Sequence, residues 1–121
     1  MKSFMKKVAF ATAMVAAPLM AASTASADGE RYVFVSHAPD SDSWWNTIKT
    51  ALGIAEGQLG VTVEYRNPPT GDIGDMARIV EQAAASGPDG IIVSIADFDA
   101  LSGPIRDAVD QGIPVITVNS G

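Results

Sequence analysis

Four short apolar runs, separated by amphipathic stretches, limit what this chain can fold into. Residues 32–36 (YVFVS), 61–66 (VTVEYR), 91–95 (IIVSI) and 115–119 (VITVN) have strand length and are rich in β-branched and aromatic residues. The first, third and fourth carry apolar residues on both faces, as strands covered on both sides do. Between the runs, apolar residues recur every three or four positions. Trp45, Ile48, Leu52, Ala55 and Leu59 form one helix face, and Ile73, Met76, Ala77, Val80, Ala83 and Ala84 a second. Leu101, Ile105, Ala108 and Val109 form a third. The order βαβαβαβ predicts an α/β fold with a doubly wound parallel sheet.

Punctuation residues agree with this division. Asp42 or Ser43 can cap the first helix by accepting an otherwise unpaired amide hydrogen, and Gly60 suits the left-handed turn that ends it. NPPTG at 67–71 is a turn, Asp72 can cap the second helix, and GPDG at 87–90 ends it. Residues 96–100 read as a loop holding Asp97 and Asp99, and Gly112, Ile113 and Pro114 close the third helix.

The first 27 residues have a different character. Lys2, Lys6 and Lys7 precede a small-residue apolar run over 8–22, and Ala25, Ser26 and Ala27 form an A-x-A site. The run is shorter than the roughly 20 residues a spanning helix needs, so this segment reads as a cleaved export signal. Its removal takes three of the eight basic residues and none of the fourteen acidic ones, leaving five against fourteen, a net charge of −9. No basic stripe remains, which argues against a nucleic-acid partner. The acidity is that of a solvated surface.

Several chemistries lack their residues. With no cysteine there is no disulfide, thiol nucleophile, thiolate metal site or lipidated cysteine anchor. Gly71 and Gly74 match neither nucleotide-binding glycine pattern. One histidine and no cysteine argue against a catalytic metal, and no cofactor is expected. His37 has no Asp/Ser partner at motif spacing and reads as structural rather than functional.

In an open α/β sheet, ligands bind outside the carboxyl ends of the strands. Both tryptophans of the chain, Trp44 and Trp45, fall just after the first strand. They lie about 100° apart around a helix. Trp45 is on the core stripe and suits packing or a site; Trp44 is off it and suits a site or a lone surface aromatic. Asp42 suits a cap, a ligand contact or both. Asp97 and Asp99 both suit the third helix cap or the site, and Asp97 is favoured for the site because it lies nearer the strand. Asn119 ends the fourth strand and suits a turn or a ligand contact.

In their order, VSHAPDSDSWWNTIKTAL, GPDGIIVSIADFDAL and GIPVITVNSG resemble the amino-terminal half-domain of periplasmic sugar-binding proteins of the ribose-binding (type I) class, the soluble receptors of ABC importers. The resemblance covers residues 31–121. It implies two doubly wound lobes joined by a hinge, with the sugar between them and a membrane permease as partner. It also implies a receptor that is monomeric when full length and that is not an enzyme. In the same pattern, aromatics opening the first helix stack on the sugar, which points to Trp44 and Trp45. A carboxylate after the third strand, matching Asp97, grips hydroxyls, and a polar residue ends the fourth strand near Asn119. The first loop here is longer than in the ribose-type pattern, and its aromatics are tryptophans.

Three other functions compete with this one. A repressor's sensory core would need a DNA-binding helix pair before Tyr32, where the export signal stands. An exported flavodoxin-like enzyme would need a nucleophile–base pair or a metal cluster. A receptor for a nucleoside, polyol or signalling furanosyl molecule would carry the same residues as a sugar receptor.

Right-handed crossovers in the order 2-1-3-4 put the first helix on one face and the next two on the other. The third and fourth strands then lack a helix on the first side. Residues 28–121 accordingly read as the amino-terminal part of a first lobe, with only one wall of a sugar site. The export signal predicts a secreted chain that begins at Asp28. Mass spectrometry of periplasmic material should give that amino terminus, and intact Met1 in the exported protein would refute it.

Overall fold

The computed structural model describes residues 29–120; the expected export signal at 1–27, the cleavage point before Asp28, and Gly121 lie outside them. The elements are β1 (Arg31–Val35), α1 (Ser43–Leu59), β2 (Thr62–Arg66), α2 (Ile73–Ala85), β3 (Gly90–Val93), α3 (Phe98–Asp110) and β4 (Val115–Thr117). All strands are parallel, in the order β2-β1-β3-β4. This is the doubly wound sheet that the strand–helix alternation predicts.

Side chains alternate across a strand, and the two faces carry two cores. Val33, Val35, Ile91 and Val93 point to one side, where they meet Met76, Val80, Ala83 and Ala84 of α2 and Leu101 and Ala108 of α3. Phe34 points the other way, to Trp45, Ile48 and Leu52 of α1, with Val63, Tyr65, Ile92 and Val118 beside it. Helix α1 thus covers one face, and α2 and α3 cover the other. Ile116, on the α1 side of β4, is 63% exposed. An apolar groove of about 370 Å³ lies there, between α1 and the sheet, lined among others by Leu52, Leu59, Ile92 and Ile116.

The caps are local chemistry. Asp42 stands in extended backbone and its carboxylate accepts the amides of Trp44 and Trp45; Gly60 ends α1 in the left-handed region, at φ 70°. Asp72 accepts the amide of Asp75 and opens α2. Gly90 sits at a close approach: a Cβ there would stand 3.0 Å from the Tyr32 ring, which would have to give by a few tenths of an ångström. On the edge strand β2, Arg66 and Arg31 both bond Glu64, and the Arg66 hydrogen bond leads in holding its carboxyl below the usual range. Charges on an edge discourage pairing with another sheet.

The structure corrects several expectations. Leu59 is 63% exposed rather than on the packed stripe. It faces the open apolar groove between α1 and the sheet, where among the described residues no second helix packs against it. Val109 is 52% exposed, because Ala108 already points inward and the next residue is about 100° further round. The ladders of β3 and β4 stop at Val93 and Thr117, short of Ile95 and Asn119, and Asn119 itself adopts a left-handed conformation, φ 64°. Asp99 lies inside the first turn of α3 rather than in a loop.

Leu101 is fully buried. Leu101→Ala should lower stability by about 2–5 kcal/mol through lost burial and the cavity left behind. Val109→Ala should stay within about 0.5 kcal/mol. Urea denaturation of both variants checks the pair; equal losses would put Val109 back in the core.

Candidate functional site

Every strand carboxyl end carries polar groups, and the fold gathers them at one edge. Ser36 and His37 follow β1, Asn67 follows β2, Ser94 follows β3, and Asn119 and Ser120 come just after β4. Ser36 and Ser94 are fully buried. Ser36 Oγ and Tyr65 Oη are 2.5 Å apart. Burial pushes the Tyr65 hydroxyl above its ordinary pKa, the Ser36 hydrogen bond opposes this, and the Asp42 and Asp40 carboxylates add to the rise. Tyr65 therefore stays a neutral phenol around pH 7. Asn67 donates to Ala38 O (2.9 Å) and Asp40 Oδ1 (3.0 Å), tying the loop after β1 to the end of β2.

The aromatic pair divides its labour. Trp45 is 4% exposed and packs edge-on against Phe34 and His37, with centroids 6.0 and 5.4 Å away. Trp44 is 53% exposed and stands edge-on to Trp45, 4.8 Å away at 84°. The buried indole fixes the exposed one. A cleft of about 330 Å³ opens beside them, lined by Phe34, Trp44, Trp45, Ile48, Val118 and Asn119.

Trp44, Trp45 and Asn119 thus share one cleft. Asp42 lies beneath it as the α1 cap, its Oδ1 2.9 Å from the Trp44 amide and 3.3 Å from that of Trp45. Asp97 is not in the cleft wall. It is exposed and caps α3, its Oδ1 accepting the Ala100 amide at 2.9 Å. Asp99 is exposed in the first turn of that helix. The polar set Ser36, Asn67, Tyr65 and Ser94 escaped the sequence reading. Its one signal was position, since Ser36 closes one apolar run, Ser94 is next to last in another, and Asn67 follows a third.

Residues 32–121 match the periplasmic binding protein domain. The chain belongs to the periplasmic binding protein family.

Its relatives include a xylose/arabinose-binding protein of Sulfolobus acidocaldarius, 29% identical over 92 residues. That match takes in 74% of this chain and 22% of the relative. A carbohydrate transporter from Acidothermus cellulolyticus, solved with myo-inositol, superposes at TM-score 0.72 with 32% identity, over 77% of this chain and 32% of its own. A sugar-binding protein of a Bacillus halodurans sugar ABC transporter gives 0.70 and 34%, over 77% and 32%. This periplasmic binding protein chain therefore spans about a fifth of that curated relative and about a third of those solved ones.

The double amide contact makes Asp42 a cap whatever else it does. Asp42→Ala should cost about 0.5–2 kcal/mol of stability, and Asp42→Ser should recover most of it. Thermal and urea unfolding of both variants check this; an Asp42→Ala protein as stable as the parent would show the cap to be idle.

Proposed function

We propose that this chain is the amino-terminal part of a receptor's first lobe, and that the receptor captures a sugar in the periplasm and delivers it to the membrane permease of an ABC importer. The observation that carries this reading is Trp44, an exposed indole braced edge-on by a buried one at the carboxyl ends of a parallel sheet. A sugar ring presents polarised C–H groups on its faces, and a stiff indole offers them a broad electron-rich surface. Sugar hydroxyls donate and accept at once. An ionised carboxylate such as Asp97 takes charge-assisted hydrogen bonds from them, and the Asn119 amide both gives and receives. A neutral sugar offers no charge to grip, so stacking and a small number of placed polar groups carry its affinity.

The named relatives support the sugar class, since they are described as carbohydrate, sugar or xylose/arabinose binders. The myo-inositol complex among them favours a second reading, a polyol ligand. Both readings use the same cleft. The export signal and the family support a periplasmic location, and the acidic surface supports a small-molecule partner rather than nucleic acid.

A thermal-shift panel of pentoses, hexoses and myo-inositol on the full-length protein separates the two, because a ligand that binds only the native state raises its melting temperature. Trp44→Ala should weaken binding by about 1–3 kcal/mol and leave folding largely intact. Asp97→Asn should weaken it through lost charge assistance. Calorimetry showing an unchanged Kd for either variant would remove that residue from the site.

A further inference from the structure

We propose that His37 is a ligand-contacting residue, a neutral imidazole locked with its proton on Nε2 and offering that N–H to a sugar hydroxyl. The inference rests on the receptor reading above and deepens it. It starts from the buried hydroxyl of Ser94. Ser94 Oγ accepts the His37 backbone N–H at 3.1 Å and lies 2.8 Å from His37 Nδ1. Ser94 is fully buried, and among the described residues its hydroxyl has no other hydrogen-bond partner. A buried O–H needs an acceptor. Nδ1 is the acceptor within reach, so Ser94 donates and Nδ1 receives. The neutral ring then carries its proton on Nε2. A hydrogen bond at one imidazole nitrogen setting the state of the other is a general device.

The place of the ring supports a contact rather than a brace alone. Helix α1 covers one face of the sheet and α2 and α3 the other, so the winding reverses between β1 and β3. The crevice at such a reversal, outside the strand carboxyl ends, is where open α/β sheets bind ligands. His37 follows β1 and Ser94 follows β3, so their hydrogen bond spans that crevice. The imidazole is half-buried, stands edge-on to Trp45 at 5.4 Å, and Trp45 in turn holds Trp44. Among the described residues no hydrogen bond reaches Nε2. Trp44 supplies a stacking face with its indole N–H as the one side-chain donor, and the Asp97 carboxylate supplies an acceptor. A fixed imidazole N–H adds a directed donor to that set.

Two measurements test this. Long-range proton–nitrogen correlation spectra of the ligand-free full-length protein, with His37→Asn identifying the signals by their loss, should show neutral His37 protonated at Nε2. Protonation mainly at Nδ1 would overturn the proposal. The second measurement titrates each panel sugar that the parent binds into two variants. His37→Asn keeps a polar atom near Nδ1, facing Ser94, but has nothing at Nε2. His37→Gln places its amide nitrogen near Nε2. The proposal expects His37→Asn to lose about tenfold in affinity and His37→Gln to stay within about threefold of the parent. Parent-like affinity in His37→Asn would overturn it and leave the receptor reading standing. A parent that binds no sugar or polyol of the panel would overturn both. The spectra on the parent protein keep the proposal testable if a variant fails to fold.

Discussion

The Val33–Val35 segment of strand β1 has no room for a polar side chain. It is hydrogen-bonded on both edges, to β2 and β3, and covered on both faces. Val33 and Val35 are wholly buried against α2 and α3, and Phe34 is 6% exposed against α1. Both cores are nucleated on this one run of three residues. A one-residue slip in its register would send Phe34 into the valine side and the valines towards Trp45, which close packing forbids. The strand's end is therefore fixed, and with it the direction in which Ser36 and His37 leave the sheet.

From that fixed end, the site is built by short-range devices. Asn67 ties the outgoing loop to the end of β2, and Asp42 stops the loop by opening α1. The cap sets the rotation of the helix at its first turn. That rotation turns Trp45 inward, onto Phe34 and His37, and leaves Trp44 at the cleft. Two adjacent residues of one type thus acquire opposite roles through a helical step of about 100°. The buried ring costs the exposed one its freedom, and an aromatic surface that is already still loses less entropy on binding.

The electrostatics suit an uncharged, hydroxyl-rich ligand. The described polar groups at the sheet edge include neutral ones: two buried serines, a phenol kept protonated by burial, and two amides. The carboxylates nearby, Asp42 and Asp97, are already accepting helix amides and still have lone pairs to share. Such a surface can exchange hydrogen bonds with hydroxyls without the desolvation cost of burying a bare charge.

The sequence by itself determined the elements and the class of fold. Helical stripes, apolar strands and capping residues such as Asp42, Gly60 and Asp72 are properties of neighbours along the chain, and neighbours along the chain suffice to read them. The doubly wound class brought the strand order with it, and the right-handed crossover rule then put the helices on their faces. What only the tertiary structure decided is which residues meet. His37 and Ser94 stand 57 positions apart, and Ser36 and Tyr65 29 apart; each pair closes because the parallel register brings two strand ends side by side. Sequence alone found no partner for His37, because that partner, Ser94, follows a different strand. It placed Leu59 and Val109 in the core because a periodic stripe does not record whether a neighbouring element closes over each of its members. Local pattern fixes what each segment is, whereas hydrogen bonding across the sheet, summed over both cores, decides which side chains share a site.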